Sequence, residues 1–198
     1  MYPISKADGC MSGSNRDLDA ALAGDEPIPR EKVLLWIDAG PDLTSLSKLY
    51  RLTGESYYRI QPELGKDKTC ALIQRYLLEC IRQDVTRDEQ IQSRWEAAET
   101  LHLWFRSLVE TEGTADVLMN AARAVTELFR ANGDEVRAAI EQGFLEHVLE
   151  TSALRPYFEH WSSEPQLHEA WSRALEWGKA HPDFTWKLLQ RLPRTQEE

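Results

Sequence analysis

The stretch TADVLMNAARAVTELFRANGDEVRAAIEQGFLEHVLE, residues 114–150, decides the fold. Thr114 stands where a helix N-cap belongs, and Asp116 sets a negative charge against the positive end of the helix dipole. Val117, Leu118, Ala121, Ala124, Val125, Leu128 and Phe129 come next at i, i+3, i+4, i+7 spacing, which predicts one buried stripe. Asn132-Gly133 predicts the end of that helix, because both residues tolerate the left-handed conformation that closes many C-termini. A second helix is predicted from Asp134. At about 100° per residue, Val136, Ala139, Ile140, Gly143, Phe144 and Val148 share one face. Ala138, Leu145 and Leu149 form a strip nearly opposite, and Glu135, Gln142, Glu146 and Glu150 line the sector between. A helix with two apolar faces needs neighbours on two sides. Gly143 costs about 1 kcal/mol relative to Ala inside a helix, so its presence predicts a close helix–helix approach.

The run Asp134-Glu135-Val136-Arg137-Ala138-Ala139 resembles the second helix of a HEAT-type repeat. Together with Gly143-Phe144-Leu145-Glu146, Tyr157 and Trp171, residues 100–178 resemble an uncharacterised bacterial family of small all-helical domains. The resemblance implies irregular stacked helical hairpins and carries no activity with it. Some small acidic helical proteins of this kind resemble immunity or antitoxin partners, which would make the chain an inhibitor of another protein.

Outward from that hairpin, residues 1–30 are polar and read as a flexible arm, with Met11 as an alternative start to Met1. Residues 31–198 read as a single helical domain. Val33 to Ile37 is the longest wholly apolar run, predicted as a helix with Pro29 in its first turn, a strand being the alternative. Leu43, Leu46, Leu49 and Tyr50 predict a helix to about Thr53, and Gly54–Lys66 a loop. Helices are then expected from Asp67, over Asp88–Glu110, briefly over Ser152–His160 with a bend at Pro156, from Ser162 or Ser163 to Trp177, and from Pro182 to Leu192. Gly178 is placed just beyond the penultimate helix. The fold class is all-α, with roughly six to eight helices and a HEAT-like stack over residues 67–192. Residues 71–81 and 138–148 share Ala, Ile, Leu and Glu at matching positions, an echo that amphipathic helices also produce by chance.

Composition excludes several function classes. Net charge is −10. Within residues 131–170, eight acids face only Arg137 and Arg155. Such a surface repels phosphate backbones, which argues against nucleic acid, and attracts basic proteins. No apolar run approaches a membrane span, and the N-terminus lacks a signal-peptide core. Cys10, Cys70 and Cys80 make neither a metal spacing nor a disulfide framework. Cys70 and Cys80 fall about 15 Å apart along one helix, too far to bridge. Reduced thiols and a cytoplasmic location are the expectation.

Glu99-x-x-His102 has the spacing of a di-iron ligand pair, but a di-iron bundle needs that motif twice with two further glutamates. His102 falls on the apolar side near Trp95, Ala98 and Phe105, which predicts a core histidine bonded to Glu99 or a backbone carbonyl. His147 falls between Val136 and Ile140 on the wheel, which also predicts burial. Glu164-x-x-x-His168 has a spacing that acidic helices meet by chance. Gly65-Lys66-Asp67-Lys68-Thr69 lacks the remaining frame of a phosphate loop. No nucleophile elbow, zinc-protease motif or dinucleotide fingerprint is present. No metal site and no cofactor is expected.

Seven tryptophans are the compositional excess. Trp161, Trp171, Trp177 and Trp186, with Tyr157, Phe158 and Phe184, read mainly as core, while Trp104 points away from the Trp95–Phe105 stripe. The leading functional expectation is a non-enzymatic protein-binding domain. Glu146, Glu150, Glu159 and Glu164 would meet positive groups of a basic or mixed partner, and Tyr157 or Trp161 would supply buried area. A small-ligand or metal-binding enzyme using Glu99, His102 and His147 is the alternative, and a structural subunit of an assembly is a third reading.

Overall fold

The computed structural model describes residues 11–85 and 91–181. The predicted helix from Pro182, with Phe184 and Trp186, lies outside the described residues, as do Cys10, the question of Met1 against Met11, and the predicted start at Asp88. The protein is all-α, with 78% of the described residues helical. It divides into two compact units. Among the described residues, one is built from residues 11–79 with Ile91, the other from Cys80–Val85 and residues 92–181. Each unit has its own core.

In the first unit, residues 11–30, expected as a flexible arm, carry a helix and a bridge strand. Helix α1 (Met11–Ala23) packs on α3 (Leu43–Glu55). Leu18 is buried, Asp19 pairs with Lys48 at 2.6 Å, and Ile28 and Pro29 form a short parallel bridge with Ile60 and Gln61. Arg59 ties these pieces together. It is buried, and its guanidinium donates to the carbonyls of Ala21 at 2.7 Å and Glu26 at 3.1 Å. Composition hid this packing, because one leucine, one isoleucine and a distant arginine anchor an otherwise polar segment. Helix α2 (Arg30–Asp38) is the predicted apolar helix, with Pro29 at its N-cap rather than in its first turn. Asp42 caps α3 by accepting from the Ser45 N–H at 2.8 Å. Helix α4 (Lys66–Gln83) comes next, and Tyr76 stacks on Tyr50 with ring centroids 4.4 Å apart.

The second unit contains α5 (Arg94–Val109), α6 (Ala115–Ala131) and the predicted inner helix. A capping box starts α5: Ser93 and Glu96 bond reciprocally. Thr114 holds the N-cap position of α6, but its hydroxyl lies 2.6 Å from the Leu108 carbonyl and so faces the end of α5. Asn132 and Gly133 are not left-handed, with φ of −122° and −80°. Asn132 closes α6 through its side-chain amide, which donates to the Leu128 carbonyl at 2.8 Å.

The inner helix does not run as one cylinder. It is α7 (Asp134–Ala138), a π-helical stretch Ala139–Leu145, and α8 (Glu146–Glu150). The Glu146 N–H reaches back five residues to the Glu141 carbonyl. Each π turn takes an extra residue, so the residues beyond it lag by about 100° against an ideal wheel. Its two-sided burial is as the pattern predicts. The π stretch packs on α5, and α9 (His168–Ala180) packs on α8. Gly143 faces α5, where an added Cβ would meet the Ala98 Cβ at 3.0 Å and the Trp95 ring at 3.3 Å. A 3-10 segment, Ser152–Ser163, leads to α9. Gly178 lies within α9 rather than beyond it, and an added Cβ would come within 2.7 Å of the Leu149 backbone.

Candidate functional site

Three places in the second unit bear on function: the face expected to dock a partner, a polar cleft, and a buried histidine cluster.

The structure separates the six residues expected at the docking face. Trp161 is fully buried. Its indole N–H donates to the Thr126 hydroxyl at 2.8 Å, and Thr126 donates in turn to the Ala122 carbonyl at 2.8 Å. It packs on Phe129 and Phe158 and offers nothing to a partner. Glu150 is buried as well, for a reason the wheel could not contain. After the π stretch, Glu150 takes roughly the angular place an unbroken helix gives Leu149, on the second apolar strip. Glu164 is half-buried and bonded to Arg130. Glu146 is half-buried, and its carboxyl is held above the usual range, chiefly by burial. Tyr157 is half-buried and Glu159 exposed, so these two remain on an accessible surface.

They do so together. Tyr157 and Glu159, with Pro156, His160, Ser162 and Ser163 of the 3-10 segment and Met119 and Arg123 of α6, line an open depression of about 580 Å³. Met119 is 40% exposed, although it stands beside the buried stripe of α6. Sequence reasoning did not select it, because a lone methionine on a polar helix face carries no periodic signal. The polar cleft, about 520 Å³, is lined by Asp134, Arg137, Glu141, Glu169 and Arg173 among others. Its charges are largely spent internally. Arg173 grips Glu141 at 2.6 and 2.8 Å, and Arg137 donates to the Phe129 carbonyl at 3.0 Å. Arg94 likewise takes Glu135 at 2.9 Å. The acidic stretch is therefore less bare than its composition suggests.

The histidine cluster lies among α5, α8 and α9. His102 is 1% exposed, as its position on the stripe predicts. Neither ring nitrogen has a partner at full hydrogen-bond geometry, and the expected bond to a backbone carbonyl is reduced to a weak contact with the Glu99 backbone. Burial pushes its pKa down to about 4. The charges of His147 and Arg106 act in the same direction, and Glu150 opposes them, with a weak upward pull from the Glu99 backbone. The His147 ring lies 5.2 Å from that of His102, and its Nδ1 is 2.8 Å from the buried Glu150 carboxylate. His147 is half-buried rather than buried, because the π lag carries it toward the polar sector. On its outer side it meets Trp177, which stacks on His181 with centroids 4.3 Å apart. Glu99 is exposed, and among the described residues no three His, Cys, Asp or Glu side chains are grouped to hold a metal. Chemically, the His147–Glu150 pair can orient an imidazole and hold a proton. His168 sits on the surface with its Nδ1 at the Ser162 carbonyl, apart from Glu164.

No family model, curated protein or solved structure matches the chain. No helix among the described residues is long and apolar enough to cross a membrane.

Proposed function

We propose that the chain is a non-enzymatic protein-binding helical domain that docks a partner on the face between α6 and the 3-10 segment. One observation carries this reading: Met119 and Tyr157 line an open depression together with Arg123, Glu159, His160 and two serines. An adaptable methionine and a tyrosine among polar groups is the composition of a binding hot spot. The net charge of −10 favours a partner with basic groups and disfavours nucleic acid. An immunity- or antitoxin-type inhibitor acting by occlusion is one concrete form, and a cytoplasmic location suits its cysteine usage. The alternative, a small-ligand enzyme, draws on His102, His147 and Glu150 rather than on Glu99.

The test is capture of a stoichiometric partner by the full chain at low salt, compared across variants. The Met119→Ala/Tyr157→Ala double variant is expected to lose the partner that wild type retains. Leu35→Ala, at an exposed leucine of α2, is expected to keep it. Equal retention by the double variant, or no stoichiometric partner with wild type, would overturn the reading.

A further inference from the structure

In the first unit, the end of α3, the 3-10 turn Tyr57–Arg59, the bridge strand and the start of α4 enclose a cleft of about 320 Å³. Its lining has two chemistries. Tyr57, Ile60, Leu64 and Cys70 supply an apolar body, of which Ile60, Leu64 and Cys70 are buried while Tyr57 is 60% exposed. Thr53, Thr69, Glu63 and Lys66 supply polar groups, with Glu63 and Lys66 exposed to solvent and the Lys66 ammonium engaged elsewhere. Both threonine hydroxyls already donate, Thr53 to the Tyr50 carbonyl at 3.0 Å and Thr69 to the Gly65 carbonyl at 3.1 Å. Their protons are therefore spent, and together with the Glu63 carboxylate they offer acceptors. Cys70 is a free thiol, 7% exposed, with no hydrogen-bond partner among the described residues.

A mostly apolar hollow with a few convergent polar groups is the usual form of a small-molecule site. Gly65, with φ of +85°, makes the turn that brings the start of α4 to the cleft.

We propose that this cleft binds a small, uncharged molecule with an apolar, ring-sized body and a hydrogen-bond-donating head, such as a phenol or short alcohol. The body lies along Tyr57, Ile60, Leu64 and Cys70, and the head donates to the acceptors of Thr53, Thr69 or Glu63. This site is separate from the docking face, so either assignment can fail alone.

Cys70 reports occupancy, and Cys80, fully buried on the same helix, serves as the internal control. The full native chain is treated with N-phenylmaleimide, with and without phenol, and labelling is followed for each cysteine by peptide mass spectrometry. In that reaction the thiolate sulfur adds across the maleimide double bond, and a proton completes the neighbouring carbon. Burial raises the Cys70 thiol pKa, so the assay is run at mildly alkaline pH. Cys70 is expected to label about tenfold faster than Cys80, and phenol is expected to slow Cys70 saturably while leaving Cys80 unchanged. Thr69→Phe, which fills the cleft from a half-buried helical position, is expected to abolish phenol protection while circular dichroism stays native. Equal rates for the two thiols, no saturable protection by phenol, or protection that survives in a natively folded Thr69→Phe chain would each overturn the proposal.

Discussion

His102 concentrates the physics of the second unit in one side chain. A buried imidazole that meets only a weak contact from the Glu99 backbone forfeits its hydration and receives little in return, at a cost of about 1–3 kcal/mol. His102→Leu, close in volume and without polar atoms, is expected to raise stability at neutral pH within that range, measured by urea unfolding. Its pH dependence has a definite sign. The folded-state pKa near 4 lies below the ordinary histidine value of 6.5, so between them the unfolded chain binds a proton that the folded chain does not. The stabilisation is complete above pH 6.5 and is lost as pH falls toward 4, by as much as about 3 kcal/mol. His102→Leu is expected to flatten this slope. An unchanged slope would place the proton uptake elsewhere. The burial of His102 was legible in the sequence, because it sits on the α5 stripe. Its lack of a well-formed hydrogen bond was not, because hydrogen bonding depends on which atoms of other helices arrive beside the ring.

At the scale of elements, two glycines set how closely helices approach. Gly143 and Gly178 both sit inside helical segments, yet their surroundings differ. A Cβ at Gly178 would strike the Leu149 and Glu150 backbone at 2.7–2.9 Å, and backbone cannot swing aside. A Cβ at Gly143 would press on Ala98 and on the ring of Trp95, which is 48% exposed and free to shift. Gly178→Ala is therefore expected to cost about 1–3 kcal/mol despite its better helix propensity, while Gly143→Ala costs less. Thermal unfolding of the two variants checks the order, and the reverse ranking would contradict it. The sequence showed Gly143 as a site of close approach, because the apolar residues around it are periodic. It misplaced Gly178, which stands near Trp177 and His181 where a helix end is plausible by pattern. Only the seat of α9 on α8 explains why no side chain fits there.

For the whole molecule, the acidic charge acts through what is left after internal pairing. Glu135, Glu141 and Glu164 are bound to arginines, and Glu150 is buried against His147. Glu159, exposed at the α6 depression, has no ion pair among the described residues. Glu159→Lys is expected to weaken association with a basic partner a few-fold and to make the affinity less dependent on salt. Calorimetric titration at two ionic strengths reads both effects, and an unchanged salt response would remove Glu159 from the interface.

The sequence by itself determined the helical class, the α6 stripe, the two-sided burial of residues 134–150 and the core place of His102. Those come from periodicity, which is a local property of the chain. Tertiary structure alone decided three things. It tied residues 11–30 down through Arg59 and the Ile28–Ile60 bridge, it buried Glu150 and left His147 half-buried by a π turn, and it enclosed the cleft at Cys70. Each depends on partners distant in the chain or on a single inserted residue. A helical wheel assumes neither, so no count of apolar positions could have found them.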